Sequence, residues 1–221
     1  MQNKKIQFIA VDLQHDFTAE GGSHYRRRPS VDFVKGILMP YLQEKNIRVS
    51  EIISDYRNEY NKRSNTTCVP GTWGYASEIP AKSRNKEVWI KCQNSPVWVT
   101  KNIGDAKKEP GKPFQNPKAF TQWLENNVGK PQDVGMVVLF GLTLDCCVFC
   151  TAQELRFRGY TVKILEEATD SYSGMKQEKQ IIINNYPLLN WARGIKWKEL
   201  QKILLQKILE VKIILESDIE K

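Results

Sequence analysis

The sequence predicts an α/β domain built on a mostly parallel sheet with helices on both faces. Three observations predict it. Short apolar runs alternate along the chain with segments of helical periodicity, the order expected of strand–helix–strand units. The runs are continuous rather than alternating in polarity, as strands buried on both faces are. The length, 221 residues, suits one large domain and is awkward for two. Residues 1–221 are therefore read as a single domain, with no internal repeat and no linker.

The elements follow in order. Ile6 to Val11 is an apolar run that ends at Asp12, before a polar, glycine-containing loop from His15 to Ser23. Asp32 to Lys45 carries Phe33, Val34, Ile37, Leu38, Tyr41 and Leu42 at helical spacing, with Ser30 placed to cap it. Val49 to Ser54 is the second strand and ends at Asp55. Residues 56–84 read as a long functional loop. Glu87 to Cys92 is the third strand, with Lys91 near its carboxyl end, and the Lys-, Gly- and Pro-rich stretch 101–115 is loop. Pro117 to Asn127 is a short helix, Val134 to Leu142 the most hydrophobic strand, and Asp145 to Phe157 a helix stopped by Gly159. Thr161 to Leu165 is a fifth strand, Gln177 to Ala192 a helix, and Ile195 to Trp197 a short edge strand. Residues 198–221 form an amphipathic helical extension with Leu200, Ile203, Leu204, Ile208 and Leu209 on one side. Its stripe covers the last strand or meets a second subunit.

Composition excludes several classes. Apolar residues make up 41% and charged residues 26%, the balance of a soluble globular protein. Lys and Arg outnumber Asp and Glu by 33 to 25, but the +8 excess is spread out, and its only tight cluster is Arg26-Arg27-Arg28. A solvated surface explains it, and nucleic acid is disfavoured as a partner. No apolar run is long enough for a membrane span, and the N-terminal run meets Asp12 too soon for a secretory signal. Five cysteines, three of them within 146–150, do not form a secreted disulfide framework, so the expected home is the reducing cytoplasm. His15 and His24 are the only histidines, which argues against a His-rich metal site or a His-dependent triad.

Ligands of such a sheet bind at the carboxyl ends of its strands. Asp12, Lys91 and the Asp145-Cys146-Cys147 segment all fall there. Singly they have ordinary explanations: a turn residue, a solvent-facing lysine, a small buried hydrophobe. Together they form a nucleophile system that needs no histidine. A helix N-terminus and a nearby ammonium favour a thiolate. A carboxylate can take the thiol proton and later act as general base.

These residues resemble a known family. Val11-Asp12-Leu13-Gln14-His15-Asp16-Phe17 resembles the opening D-x-Q-x-D-F motif of the isochorismatase-like cysteine hydrolases, the nicotinamidase superfamily. Pro70-Gly71-Thr72-Trp73-Gly74 is similar to their P-G-T-x-G loop. Gly141 to Ala152, followed by Arg158-Gly159-Tyr160-Thr161-Val162, resembles their nucleophile block. The ordered set spans residues 6 to about 200.

The resemblance implies a doubly wound α/β/α sandwich and a Cys-Asp-Lys triad of Cys147, Asp12 and Lys91. Val148 and Thr151-Ala152 set that register, which leaves Cys146 one position early and Cys150 as packing. It further implies a cis peptide at Leu142–Thr143 and an oxyanion hole from the backbone N–H groups of Thr143 and Cys147. Phe17 and Trp73 are candidate pocket walls, or else aromatic packing under a loop. The implied substrate is a small carboxamide or ureide, and the implied assembly a homo-oligomer, dimer or tetramer.

The chain also departs from the pattern. Where nicotinamidases carry D-x-H and further histidines for a metal, this chain has Asp55-Tyr56-Arg57, and Thr67 precedes Cys68. Asp55 is the only ligand-type residue left, and one carboxylate does not hold zinc or iron. No cofactor is therefore expected, and a nicotinamidase with a degenerate metal site becomes the weaker reading. Isochorismatases that cleave a vinyl ether lack the cysteine. A non-catalytic binding protein on the same fold stays open, and so, less strongly, does redox chemistry at Cys147-Val148-Phe149-Cys150.

Overall fold

The computed structural model describes residues 4–57 and 66–207. The first apolar run forms β1 (Lys5–Val11), and the one-turn α1 (His15–Thr18) follows it. The first long helical segment runs over 29–44 as α2 (Pro29–Phe33), a π turn (Val34–Leu38) and α3 (Met39–Glu44). It begins three residues earlier than the periodicity suggests. Pro29 starts it, as proline suits the first helical position, and Arg28 rather than Ser30 holds the N-cap.

Then come β2 (Val49–Ser54) and β3 (Trp89–Lys91), with two short 3-10 turns between them at Trp73–Tyr75 and Ala81–Ser83. A small antiparallel pair, β4 (Trp98–Val99) and β5 (Phe114–Gln115), precedes α4 (Pro117–Asn127). The second half comprises β6 (Val134–Leu142), α5 (Cys147–Phe157), β7 (Val162–Asp170), α6 (Lys176–Asn184), β8 (Arg193–Ile195) and α7 (197–207).

The short edge strand expected over 195–197 lies instead at Arg193–Ile195, and two further boundaries differ from the sequence reading for identifiable reasons. β7 runs on through Glu166 and Glu167 to Asp170, because these polar residues find partners beside the sheet. Glu167 accepts the Trp197 N–H at 2.9 Å, and Lys179 Nζ contacts Asp170 at 2.8 Å. The helix expected over 177–192 ends at Asn184, and the cis Tyr186–Pro187 bond and a 3-10 turn (Leu188–Asn190) follow. Pro187 has no N–H for the helix, and its ring restricts the residue before it.

The six-stranded sheet has the order β3-β2-β1-β6-β7-β8, and every pairing in it is parallel. Side-chain alternation divides the core into two layers. Ile9, Val11, Val137 and Leu139 face α4 and α5, against Phe120, Leu124, Val148 and Leu155. Phe8, Ala10, Val138 and Phe140 face the 29–44 helix and α7, against Val34, Leu38, Leu42, Leu200 and Leu204. Each of these side chains other than Ala10 stabilises the fold by about 1.5–3 kcal/mol when fully buried. The stripe of α7 thus covers its own sheet; Ile208 and Leu209 lie outside the described residues. No helix among the described residues is long and apolar enough to cross a membrane.

The strand order reverses between β1 and β6, and a crevice opens there at the carboxyl ends. Gly141 makes the approach of these two strands possible. It pairs with Val11 at φ +119°, and a Cβ there would overlap the Val11 carbonyl.

Candidate active site

Asp12, Lys91 and Cys147 come from three distant parts of the chain and meet at this crevice. Asp12 follows β1 with φ 49°, a left-handed conformation that aspartate tolerates better than most residues, and its N–H donates to the Ile52 carbonyl at 2.9 Å. Lys91 ends β3, two strands away. Its ammonium reaches across β2 and donates to Asp12 Oδ2 at 2.8 Å and to Ser54 Oγ at 2.7 Å. The Ser54 hydroxyl donates in turn to Asp12 Oδ1 at 2.8 Å. Asp12 and Lys91 are almost completely buried, so they form an ion pair within the protein interior.

Cys147 is the first residue of α5, directly after the N-cap Cys146. Its Sγ lies 3.3 Å from Lys91 Nζ, 3.1 Å from the Tyr56 hydroxyl and 3.5 Å from Asn94 Oδ1. Burial pushes the thiol well above its ordinary pKa, and the Asp12 charge and a hydrogen bond to it push further, while Lys91 and Tyr56 pull it down. The resting group is therefore a thiol facing a carboxylate, not the thiolate that a helix N-terminus and an ammonium alone would suggest. Burial works against the Lys91 charge, yet Asp12, then Cys147 and Tyr56, hold its pKa well above the ordinary lysine value. Burial keeps the Tyr56 phenol protonated far above its usual range.

The Leu142–Thr143 peptide is cis. The turn from β6 into α5 is closed by the Cys146 and Val148 N–H groups, each donating to the Thr143 carbonyl at 3.1 Å, and by Leu144 N–H to Asp170 at 2.9 Å. The N–H groups of Thr143 and Cys147 take no part in that set.

A cavity of about 300 Å³ opens on the sulfur, lined by Asp12, Phe17, His24, Tyr56, Asn94, Thr143 and Tyr172 among others. Phe17 meets Tyr56 edge-on at 6.4 Å between ring centroids and stacks on His24 at 6.0 Å. Trp73 is not part of this wall. It is half exposed and packs on His15, with ring centroids 4.9 Å apart. Gln93 and Asn94 also line a neighbouring depression of about 680 Å³, together with Ser95, Trp98, Pro113 and Cys150. No disulfide joins any of the five cysteines.

Several residues near the site have roles that the sequence alone does not assign. Gln14 locks β1 to β2: its Nε2 donates to the Ser54 carbonyl at 3.0 Å and its Oε1 accepts the Ser54 N–H at 2.7 Å. Asp16 accepts the Ser23 and Cys68 N–H groups at 3.0 and 2.6 Å, and Gly74 lies so close that a Cβ there would overlap the Asp16 carboxylate. These contacts give the first motif and the glycine loop a structural purpose. Arg28 corrects the reading of its cluster as solvated. It is buried and donates to the carbonyls of Phe17 at 2.9 Å, Tyr172 at 2.8 Å and Ser171 at 3.2 Å.

At the end of β2 the one ligand-type carboxylate is already engaged. Both Asp55 oxygens bind the Arg57 guanidinium, at 3.0 and 2.9 Å, and Oδ2 also accepts the Gly104 N–H at 2.9 Å. Among the described residues, no group of three or more His, Cys, Asp or Glu side chains is placed to hold an ion.

No protein-family model matches the chain, and no curated protein matches it by sequence. Solved structures do match its backbone. An isochorismatase-like hydrolase from Alkaliphilus metalliredigens superposes with a TM-score of 0.63 at 18% identity, covering 90% of this chain and 99% of that one. Nicotinamidase PncA from Bacillus subtilis gives 0.59 at 16% identity, over 86% and 98%. N-carbamoylsarcosine amidase from Thermoplasma acidophilum gives 0.54 at 18% identity, over 87% and 96%. The sheet order, the helices on both faces and these superpositions lead to one conclusion: the chain has the isochorismatase-like α/β fold.

Proposed function

We propose that the protein is a cysteine hydrolase that cleaves a C–N bond of a small carboxamide or ureide without a metal. The observation that carries this reading is the buried cluster in which Lys91 Nζ contacts both Asp12 and the Cys147 sulfur, with the cavity opening on that sulfur. Asp12 takes the thiol proton, and the sulfur attacks the substrate carbonyl. The tetrahedral oxyanion is held by the N–H groups of Thr143 and Cys147. Asp12 returns the proton to the leaving nitrogen, giving ammonia or an amine and a thioester on Cys147. Water, deprotonated by Asp12, then releases the acid and restores the thiol. Lys91 stays protonated throughout and holds Asp12 in place.

The superposed amidase and nicotinamidase support the reaction class by fold analogy. The Asp55–Arg57 pair supports metal independence, because the carboxylate that would anchor an ion is already saturated. We further propose that the chain works as a homo-oligomer.

The test is ammonia or amine release from a panel of small amides and ureides. The chain is expected to turn over at least one of them, and Cys147→Ala to abolish turnover while the circular dichroism spectrum and melting profile are retained. Full activity in Cys147→Ala would refute the proposal.

A further inference from the structure

Lys91 cannot serve the Cys147 sulfur well. Its ammonium has three hydrogens and four acceptor contacts: Ser54 Oγ at 2.7 Å, Asp12 Oδ2 at 2.8 Å, and both Tyr56 OH and Cys147 Sγ at 3.3 Å. The two short bonds take two hydrogens. The third is shared between the phenol oxygen and the sulfur.

Tyr56 is better placed. Its hydroxyl lies 3.1 Å from Sγ, and its ring stands edge-on to Phe17 and beneath the Lys91 ammonium, 5.2 Å from its centroid. The direction of this hydrogen bond in the charged state follows from the sulfur: a thiolate has no hydrogen to give, so the bridging hydrogen is the phenol's. Lys91 can only donate, so the phenol oxygen accepts from it. The thiol hydrogen has acceptors other than the phenol, in Asn94 Oδ1 at 3.5 Å and in Asp12, and either one leaves the sulfur lone pairs to the phenol.

We infer that Tyr56 is a catalytic residue, whose O–H is the main hydrogen-bond donor to the Cys147 sulfur when that sulfur carries charge. The inference rests on Cys147 being the nucleophile. When the S–H bond breaks, the proton passes to Asp12 and the electron pair stays on sulfur. Tyr56 keeps its own proton and shortens its hydrogen bond. Because burial and Asp12 both oppose the thiolate, a directed donor matters more here than it would in water.

Alkylation of Cys147 by iodoacetamide tests this without any substrate. The labelled peptide is identified by mass spectrometry, so the other cysteines do not interfere. In Tyr56→Phe the alkylation rate at pH 8 is expected to fall about tenfold or more, since a hydrogen bond to a charged group shifts such an equilibrium by about one pH unit or more. With 3-fluorotyrosine at position 56, a shape-preserving and stronger donor, the rate is expected to rise above that of the unmodified chain. An unchanged rate in a folded Tyr56→Phe, or a fall with fluorotyrosine, overturns the inference and leaves Cys147 as the nucleophile. Failure of Cys147 to react at all in the unmodified chain overturns the nucleophile as well. Absence of turnover on a given amide affects neither result.

Discussion

Lys91 Nζ lies 2.8 Å from Asp12 Oδ2, and the two side chains are 0% and 1% exposed. Removing one partner of a buried pair leaves an uncompensated charge, at a cost of about 3–5 kcal/mol. Lys91→Met is therefore expected to destabilise the fold by that order, read from urea denaturation. The pH dependence has a definite sign. Cys147, Lys91 and Tyr56 all have folded pKa values above their ordinary ones. Above the ordinary thiol pKa of 9.0, the unfolded chain loses protons that the folded chain keeps. Stability is thus fully present below pH 9 and falls as pH rises, each group adding at most about 1.4 kcal/mol per pH unit. Cys147→Ala should make that fall shallower without moving its onset, because burial also raises the pKa values of the other four thiols. A urea midpoint that rises between pH 9 and 11 would contradict the assignment.

Activity is expected to survive exhaustive dialysis against EDTA and not to increase with added zinc, manganese or iron. The reason is the Arg57 guanidinium seated on both oxygens of Asp55. Activity lost on chelation and restored by one of these ions would show that the guanidinium gives way.

Arg28 joins the loops after β1 and β7 through the carbonyls of Phe17 and Tyr172, both of which line the cavity. Arg28→Lys keeps the charge and loses the planar fork. Losing one charge-assisted bond of about 1.5 kcal/mol predicts a KM about tenfold higher with kcat nearly unchanged. A lower melting temperature with KM unchanged would show that Arg28 supports the fold and not the pocket.

Phe157, Ile181 and Tyr186 are 65%, 64% and 71% exposed, and Phe157 packs on Trp191. In the proposed homo-oligomer these are the groups that association would cover. Light scattering is expected to give a multiple of the chain mass, and Phe157→Glu with Tyr186→Glu to shift it toward the monomer. A monomer at all concentrations tested would refute the association.

Legibility in the sequence followed the range of the interaction. Pro117–Asn127 and Val134–Leu142 were read to the residue, because their boundaries are marked locally by proline and by a purely apolar run. Asp12, Lys91 and the Asp145-Cys146-Cys147 segment are legible because strand ends and a helix start bring them to one edge of any doubly wound sheet, while the choice of Cys147 within that segment comes from the family resemblance. Tyr56 is not legible, since nothing near it in sequence shows that Cys147 lies 91 residues away and 3.1 Å off. Arg28 misled for the same reason. A run of arginines suggests solvent, whereas its partners are carbonyls, two of them more than 140 residues further along the chain.

The Asp12–Lys91 pair has a further consequence for what the cavity accepts. Carboxylate and ammonium cancel, and the thiol is neutral, so the reacting centre starts uncharged. Passing the proton from Cys147 to Asp12 only moves the negative charge by one contact and leaves the sum at zero. On the proposed mechanism, an uncharged amide is therefore neither drawn in nor repelled by Asp12, Lys91 and Cys147 at any stage. Its capture should vary little with ionic strength, despite the chain's net charge of +8.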